Sequence, residues 1–414
     1  MNYPGSIDTP LTTSVGLGNE PIPAYLYTDP DHYELERQRI FGRAWLMMGR
    51  AERIPEPGDF FTKDVAAHRA SIILARGKDG KVRAFHNVCS HRGNRVALLP
   101  EGKANRFTCR YHSWTYRNDG ALIGVPDEAG FAGLDRKKCG LTPIACELWD
   151  GWIFVNLQPV PEVSLADFLG DFGKEFANIP YPFPDHGIVL SGDIKANWKA
   201  LADNFSEFYH VSSIHPKTLA PIYTGPGNPG GRPTSAHVFG PHRAVAGWLN
   251  TSYRPSASAR VHQWVYPSNQ TVTGTRQEGD VNPLADHPRV NPLKRADWSS
   301  DINWVFPNWH LQVSASRFWT HEFWPVSSNT SAWEARFYQP KPTTVRERLQ
   351  LEHFTATIAD AFLEDLGNIE STQVGMESGA KSFFHLHESE VLVRHSIEQV
   401  RKWTSAATVA DALS

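Results

Sequence analysis

Cys89-Ser90-His91 and, seventeen residues further on, Cys109-Arg110-Tyr111-His112 are the stretch whose reading decides the fold. Each pair joins one thiol to one imidazole across a loop of one or two residues, giving the pattern C-x-H-x17-C-x-x-H. A two-iron, two-sulfur cluster with thiolates on one iron and imidazoles on the other needs this mixture, and the neutral imidazoles raise its reduction potential. A structural zinc site is the rival reading, because two Cys and two His also make a zinc set. Zinc fingers, however, pair like ligands, C-x2-4-C before H-x3-5-H, whereas both pairs here are mixed. The flanks agree with a cluster: Gly93 permits a tight turn beside it, and Trp114 can shield it from water.

Working outward, the segments around both loops carry a short-strand pattern. Ser71–Arg76 and Lys81–Phe85 enclose the Gly77-Lys78-Asp79-Gly80 turn, a hairpin signature. Arg106–Thr108 and Thr115–Arg117 flank the second loop, and Gly151–Leu157 reads as a closing buried strand. Residues 40–158 are therefore expected to form a small all-β domain, with Pro159-Val160-Pro161 as the linker out of it. Residues 29–48 read as a helix capped by Asp29 or Asp31, and 1–39 as a segment packing on the second domain, 159–414. In that domain helices are expected at Leu165–Asn178, Ile194–Tyr209 and Thr344–Met376. Strands are expected around Trp304–Phe306, His310–Val313, Phe318–Trp324 and Ala332–Tyr338, and 225–300 reads as mostly loop. The class is α+β, a small all-β domain plus a larger domain whose antiparallel sheet is covered by helices. Gly225-Pro226-Gly227-Asn228-Pro229-Gly230 spells G-x-G-x-x-G but follows no strand and opens no helix, so a dinucleotide site is rejected. Electrons must then come from another protein.

A second metal-binding pattern lies in the larger domain. Glu207 and His210 are three apart and share a helical face, while His215 reaches the same ion only if the helix loosens or ends between them. In the C-terminal helix Asp365 falls on the apolar stripe Ile358, Phe362, Ile369 and Met376. A carboxylate there is costly unless it meets a cation or donors. Two histidines and one carboxylate make the facial triad that holds Fe(II) and leaves positions open for O2 and substrate. A structural ion pair for Asp365 is the alternative. Leu201 and Phe205, with Trp304, Phe306, Trp309 and Phe323, are candidate pocket walls or ordinary sheet packing. Arg260, Arg276 and Arg317 are candidates for a substrate carboxylate or plain surface residues.

Composition narrows the class. The chain has 414 residues, 41 % of them hydrophobic, and a formal charge of −3, which gives no basic field for nucleic acid. No apolar run is long enough for a membrane span and Met1–Glu20 shows no signal-peptide pattern, so a cytoplasmic protein is expected. Cys139 and Cys146, outside the motif, are expected as buried thiols.

With both motifs in view, the chain resembles the catalytic α subunits of Rieske non-heme iron oxygenases, the ring-hydroxylating oxygenase group. The resemblance runs from the Asp29 helix to Gln373 and includes Asn197-Trp198-Lys199, Glu207-x-Tyr209-His210 with His215, and Glu364-Asp365-x4-Glu370-x2-Gln373. It implies a [2Fe–2S] cluster on Cys89, His91, Cys109 and His112, and a mononuclear Fe(II) on His210, His215 and Asp365. It implies that Glu207 bridges His210 and the His112 of a neighbouring subunit, with Asp203 as the alternative acid and Asn204 beside it in the catalytic set. Where many ring dioxygenases have Asp, Glu207 is a departure shared with some monooxygenases. The family assembles as a head-to-tail trimer, with or without a β subunit, and draws electrons through a ferredoxin and a flavin reductase, NAD(P)H being the ultimate donor. The expected reaction is O2-dependent hydroxylation of an aromatic or xenobiotic compound, by monooxygenation with N- or O-dealkylation or by ring dihydroxylation. The alternatives are oxidation of a quaternary amine such as betaine or carnitine and, more remotely, plain electron transfer by a Rieske protein.

Overall fold

A computed structural model describes residues 11–181, 185–256, 258–265, 283–314, 317–339 and 341–414. Contacts divide the chain into two units, one of Arg37–Phe168 with Thr408–Asp411, the other of Met1–Glu36 with Leu169–Ala407 and Ala412–Ser414.

The first unit is built on a seven-stranded antiparallel sheet. Its strands are β1 (Leu46–Arg50), β2 (Asp59–Val65), β3 (Ala70–Arg76), β4 (Val82–His86), β5 (Glu101–Lys103), β9 (Pro143–Trp149) and β10 (Trp152–Asn156), in the order β1-β10-β9-β4-β3-β2-β5. A separate three-stranded sheet, β6 (Arg106–Thr108), β7 (Thr115–Arg117) and β8 (Leu122–Gly124), carries the second Cys/His loop between β6 and β7. The expected helix over 29–48 is shorter: helix α1 covers Pro30–Glu36, a π turn follows at Arg37–Phe41, and Leu46–Arg50 is strand. The reason is visible in the chain. Ala44 to Met48 is apolar without helical period and is buried throughout, which suits a strand covered on both faces. Cys139 and Cys146 are half-buried and unbridged, so both are more open than expected; burial still pushes the Cys146 thiol up to about 12.

The second unit holds another seven-stranded antiparallel sheet, made of β11 (Asp185–Ile194), β12 (Ser235–Phe239), β13 (His242–Trp248), β14 (Trp298–Val305), β15 (Trp309–Ser314), β16 (Phe318–Ser327) and β17 (Thr330–Tyr338). The order is β11-β17-β16-β15-β14-β13-β12. Its register aligns Arg243, Trp304, His310, His321 and Ala335 in one transverse row. Side chains directly opposite one another in a sheet share a face, so this row lies on one side. The neighbouring row, Val305, Trp309, Glu322 and Glu334, takes the other. Strands β12 and β13 occupy part of the stretch read as loop, because Gly and Pro on either side outweigh two short apolar runs.

The single helix expected over Ile194–Tyr209 is also broken up. Ile194 ends β11, Asn197 caps helix α2 (Trp198–Asn204) by accepting from Lys199 N–H at 3.0 Å, and a short helix α3 (Val211–Ile214) follows. Every residue of α2 is buried, so it has no solvated face. Its polar side chains find partners instead. Lys199 Nζ meets Glu36 Oε1 at 2.6 Å with both side chains fully buried, and Trp198 Nε1–H donates to Glu36 Oε2 at 2.8 Å. The long helix α4 (Val345–Glu377) opens with a capping box between Thr344 and Glu347. Its Gln373 accepts from Asn197 N–H at 3.0 Å and its Glu370 from Lys195 N–H at 3.0 Å. The motifs around Asn197-Trp198-Lys199 and Glu370/Gln373 thus fix α2 against α1 and α4. Among the described residues, no helix is long and apolar enough to cross a membrane.

Candidate metal centres

In the first unit the two ligand loops have one backbone design. Cys89 C=O accepts from Gly93 N–H at 2.9 Å, and Cys89 N–H donates to Asn94 C=O at 2.8 Å. Cys109 repeats this, with Ser113 N–H at 2.9 Å and Trp114 C=O at 2.8 Å. Each loop therefore turns at its fourth residue after Cys in the left-handed region, Gly93 at φ 77° and Ser113 at φ 57°. That conformation costs glycine little, which explains the Gly93 noted in the sequence. The rings of His91 and His112 stand 4.5 Å apart, and Trp114 stacks on His91 at 5.2 Å.

The donor set fits an iron–sulfur cluster. Cys89 and Cys109 are buried and unbridged, and the buried Nδ1 atoms of His91 and His112 have no hydrogen-bond partner among the described residues. Buried ring nitrogens rarely go unpaired, and a metal relieves both at once. Burial works against the Cys109 thiolate, but backbone N–H groups of Tyr111 and His112, with Cys89, hold its pKa below the ordinary thiol value. Tyr116 O–H lies 3.2 Å from Cys89 Sγ and accepts from Ser90 N–H at 2.9 Å, a contact of the kind that tunes cluster potential.

In the second unit one ligand atom from each of His210, His215 and Asp365 lies within 4.8 Å of the others. The helix ends earlier than the three-ligand reading required, at Asn204, so Glu207 lies outside it and a separate helical turn joins the two histidines. His210 precedes α3 and His215 follows it, so one turn brings the two rings to 5.2 Å. Asp365 is buried on α4 beside Phe362 and Ile369, its Oδ1 2.9 Å from His215 Nε2 and 3.5 Å from His210 Nε2. The far nitrogens are held by carboxylates: His210 Nδ1 by Glu207, and His215 Nδ1 by Glu364 at 2.7 Å, which Thr218 O–H also supports at 2.6 Å. Nδ1–H donated to a carboxylate leaves Nε2 as the free lone pair, the arrangement of a metal-bound histidine. Burial opposes charging either ring, yet Glu207 and Asp365 hold His210 above the ordinary imidazole range, and Asp365 and Glu364 do the same for His215. The site demands a cation, either a proton or a metal. Two imidazoles and a carboxylate meeting on one side fit Fe(II).

Glu364 had no role in the sequence reading; its place in the motif beside Asp365 was the available signal. Glu364→Gln is expected to weaken iron binding about 10–100-fold, measured by chelator competition, because the amide no longer fixes the His215 tautomer. Affinity unchanged in that variant would mean that His215 is not oriented through Nδ1.

The remaining sequence candidates separate. Asp203 does not meet His210: its Oδ2 accepts from Tyr27 O–H at 2.8 Å, and burial raises its pKa to about 7. Asn204, next to it, is buried, and its Nδ2 has no partner among the described residues. Phe205 lies 4.6 Å from His321 and 5.5 Å from Phe362, and stacks on Trp333 at 5.9 Å. Phe323 lies 5.3 Å from Trp304. These rings form one wall on the face that α2 and α4 cover, and Leu201 is fully buried in α2. Two candidates are corrected. Trp309 belongs to the row on the opposite face of the sheet, since one residue along a strand reverses the side. Phe306 lies past the end of β14, with its ring against Trp403 at 5.3 Å. Of the arginines, Arg260 is exposed, Arg317 stacks on Phe354 at 3.8 Å, and Arg276 lies outside the described residues.

Residues 177–406 match the family described as the ring hydroxylating alpha subunit (catalytic domain), and 44–137 match the Rieske [2Fe-2S] domain. The glycine betaine monooxygenase oxygenase subunit of Pseudomonas aeruginosa (strain UCBPP-PA14) is 36 % identical over 200 residues, 48 % of this chain and 45 % of that protein. The carnitine monooxygenase oxygenase subunit of Escherichia coli (strain K12) is 35 % identical over 201 residues, 47 % of this chain and 52 % of that protein. These matches span about half the length of either curated relative. In fold, the chain is similar to naphthalene 1,2-dioxygenase from Rhodococcus sp., with a TM-score of 0.74 at 22 % identity over 94 % of this chain and 95 % of that one.

Proposed function

The chain belongs to the ring-hydroxylating α-subunit family of Rieske oxygenases, whose cofactors are a [2Fe–2S] cluster and a mononuclear iron, and from that premise we propose that it is the oxygenase component of a quaternary-amine monooxygenase. The observation that carries the reading is the site of His210, His215 and Asp365 beside an aromatic wall, in a chain whose curated relatives are mostly named for glycine betaine and carnitine, with a benzene 1,2-dioxygenase subunit among them. This favours the alternative of the two substrate readings over the aromatic one. A quaternary ammonium group is held by aromatic faces, which Phe205, Trp333 and Phe362 supply around His321.

In this reading Cys89, Cys109, His91 and His112 hold the cluster, and His210, His215 and Asp365 hold the iron. When bound, the two groups supply electrons and activate O2, and the product is a hydroxylated amine that breaks down by C–N cleavage. The protein does the rest. Glu364 and Glu207 accept hydrogen bonds from the Nδ1–H groups and aim both Nε2 atoms at Asp365, and the rings of Phe205, Phe323 and Phe362 keep water from the reacting face. Glu207 is proposed to share its carboxylate with His112 of the partner subunit in a head-to-tail homotrimer, a ring in which each chain serves its neighbour. A ferredoxin and a flavin reductase are the proposed donors, and the cytoplasm the proposed location.

Product analysis tests this. The loaded protein, supplied with a surrogate reductase, ferredoxin and O2, is expected to convert trimethylammonium compounds and leave naphthalene and benzoate unchanged. Turnover confined to the aromatic compounds would overturn the amine reading and restore the other.

A further inference from the structure

We propose that Arg243 anchors a substrate carboxylate, so that the molecule oxidised is a zwitterion carrying an anionic group at the end remote from the iron. The inference rests on the amine-oxygenase reading for the cationic end only.

Arg243 is fully buried on β13, and its Nε, Nη1 and Nη2 have no hydrogen-bond partner among the described residues. Its guanidinium lies 4.5 Å over the ring of Trp304, the next member of its row. Beyond Trp304 comes His310, also fully buried, with both ring nitrogens unpaired, and Trp304 Nε1 is unpaired as well. An unpaired indole or imidazole nitrogen can be an accident of packing, but a buried guanidinium with every donor idle is a large cost unless an anion or water meets it.

The neighbouring charges do not supply that anion. Burial holds His310 and His395 well below the ordinary imidazole range, with Arg243 adding to the effect, so both are neutral. Asp203 is the acid that opposes the burial of Arg243; its Oδ2 accepts from Tyr27 O–H, its Oδ1 is buried and unpaired, and among the described residues it forms no ion pair with Arg243 within contact distance. Burial lowers the Arg243 pKa to about 9, which leaves the guanidinium charged at neutral pH. Its planar fork of donors matches a carboxylate in two parallel hydrogen bonds.

The row also gives a direction. Arg243 and Trp304 stand at one end, and His321, further along, lies with its ring 5.1 Å from that of Phe362, one helical turn before Asp365. Two strand spacings, about 10 Å, separate the Trp304 and His321 positions. An extended chain with a carboxylate at the Arg243 end would place its ammonium among the rings beside the metal ligands. Sequence reading could not find Arg243, because it sits in the stretch taken for loop and its neighbours carry no motif.

The experiment is equilibrium binding to the anaerobic, iron-loaded protein, followed by turnover, with γ-butyrobetaine against its methyl ester and L-carnitine against its methyl ester. The wild type is expected to bind each acid about 100-fold more tightly than its uncharged-end analogue, and Arg243→Met to reduce that preference to about threefold or less. Arg243→Lys, which keeps the charge but not the fork, is expected to retain about a tenfold preference. The ratio is read within each variant, so a uniform loss from misfolding does not mimic it, and the visible cluster spectrum checks loading. A wild type indifferent to the carboxylate, or an Arg243→Met or Arg243→Lys protein with the full wild-type preference, would overturn the proposal. Should the wild type ignore all four amines yet bind benzoate in an Arg243-dependent manner, the anchor stands and the amine reading falls.

Discussion

Asp365→Ala is expected to abolish O2-dependent product formation, a loss of at least about 1,000-fold, while leaving the visible absorption of the cluster unchanged. The argument is geometric. Asp365 Oδ1 is the atom to which both Nε2 atoms converge, at 2.9 and 3.5 Å, and alanine leaves two neutral imidazoles to hold a divalent cation. Open sites with three protein ligands tolerate this poorly, since the carboxylate supplies the negative charge of the triad. None of the cluster candidates Cys89, His91, Cys109 and His112 is in the same unit, so their spectrum has no reason to change. The measurement is iron content, absorption and product yield on one preparation. An Asp365→Ala protein that keeps its mononuclear iron and turns over substrate would remove Asp365 from the metal site. A lost cluster signal would show that the substitution acts on folding.

The second large effect concerns stability. Lys199→Met is expected to destabilise the second unit by about 3–5 kcal/mol, because it removes the one fully buried cation from the fully buried Glu36 carboxylate and leaves it His32 and Trp198 Nε1–H. Burial alone would raise the Glu36 pKa, but Lys199 and His32 outweigh it and hold the group below the ordinary carboxylate value. A depressed carboxylate contributes stability that is complete above its unfolded pKa and is lost as pH falls through the folded one. The wild type therefore loses this contribution in acid, and the stability gap between it and Lys199→Met is expected to narrow as pH falls through the Glu36 pKa. Urea unfolding followed by tryptophan fluorescence gives the magnitude. Adding Glu36→Gln to Lys199→Met should recover part of the loss, since no uncompensated charge remains. Equal unfolding midpoints for wild type and Lys199→Met would mean that the pair is not buried as described.

The two-part architecture and the meeting of His210, His215 and Asp365 were legible because each rests on a local signal. Hairpin turns mark β3 and β4, and the mixed Cys/His pairs force two similar loops. Asp365 betrays itself as a charge on an apolar stripe that is buried at Ile358, Phe362 and Ile369. What escaped depends on contacts between distant segments. The helix read over Ile194–Tyr209 fails because Lys199 and Asp203 look like a solvated face until Glu36 and Tyr27 are brought to them. Trp309 was misread because adjacent residues in a strand face opposite sides, and only the pairing of Val305 with Trp309 fixes which side is which. Glu364 and Arg243 are ordinary surface-type residues in sequence. Their meaning lies in what His215 and Trp304 place beside them.

The central claim is that one chain carries a sulfur-bridged pair of irons in its first unit and a single iron on two imidazoles and a carboxylate in its second. Iron, zinc and acid-labile sulfide analysis of protein reconstituted under anaerobic conditions tests it directly. The account predicts three irons, two sulfides and no zinc per chain, the sum of one [2Fe–2S] cluster and one mononuclear site. Zinc bound in place of the iron pair, or two irons with none released by chelators that spare the cluster, would contradict it.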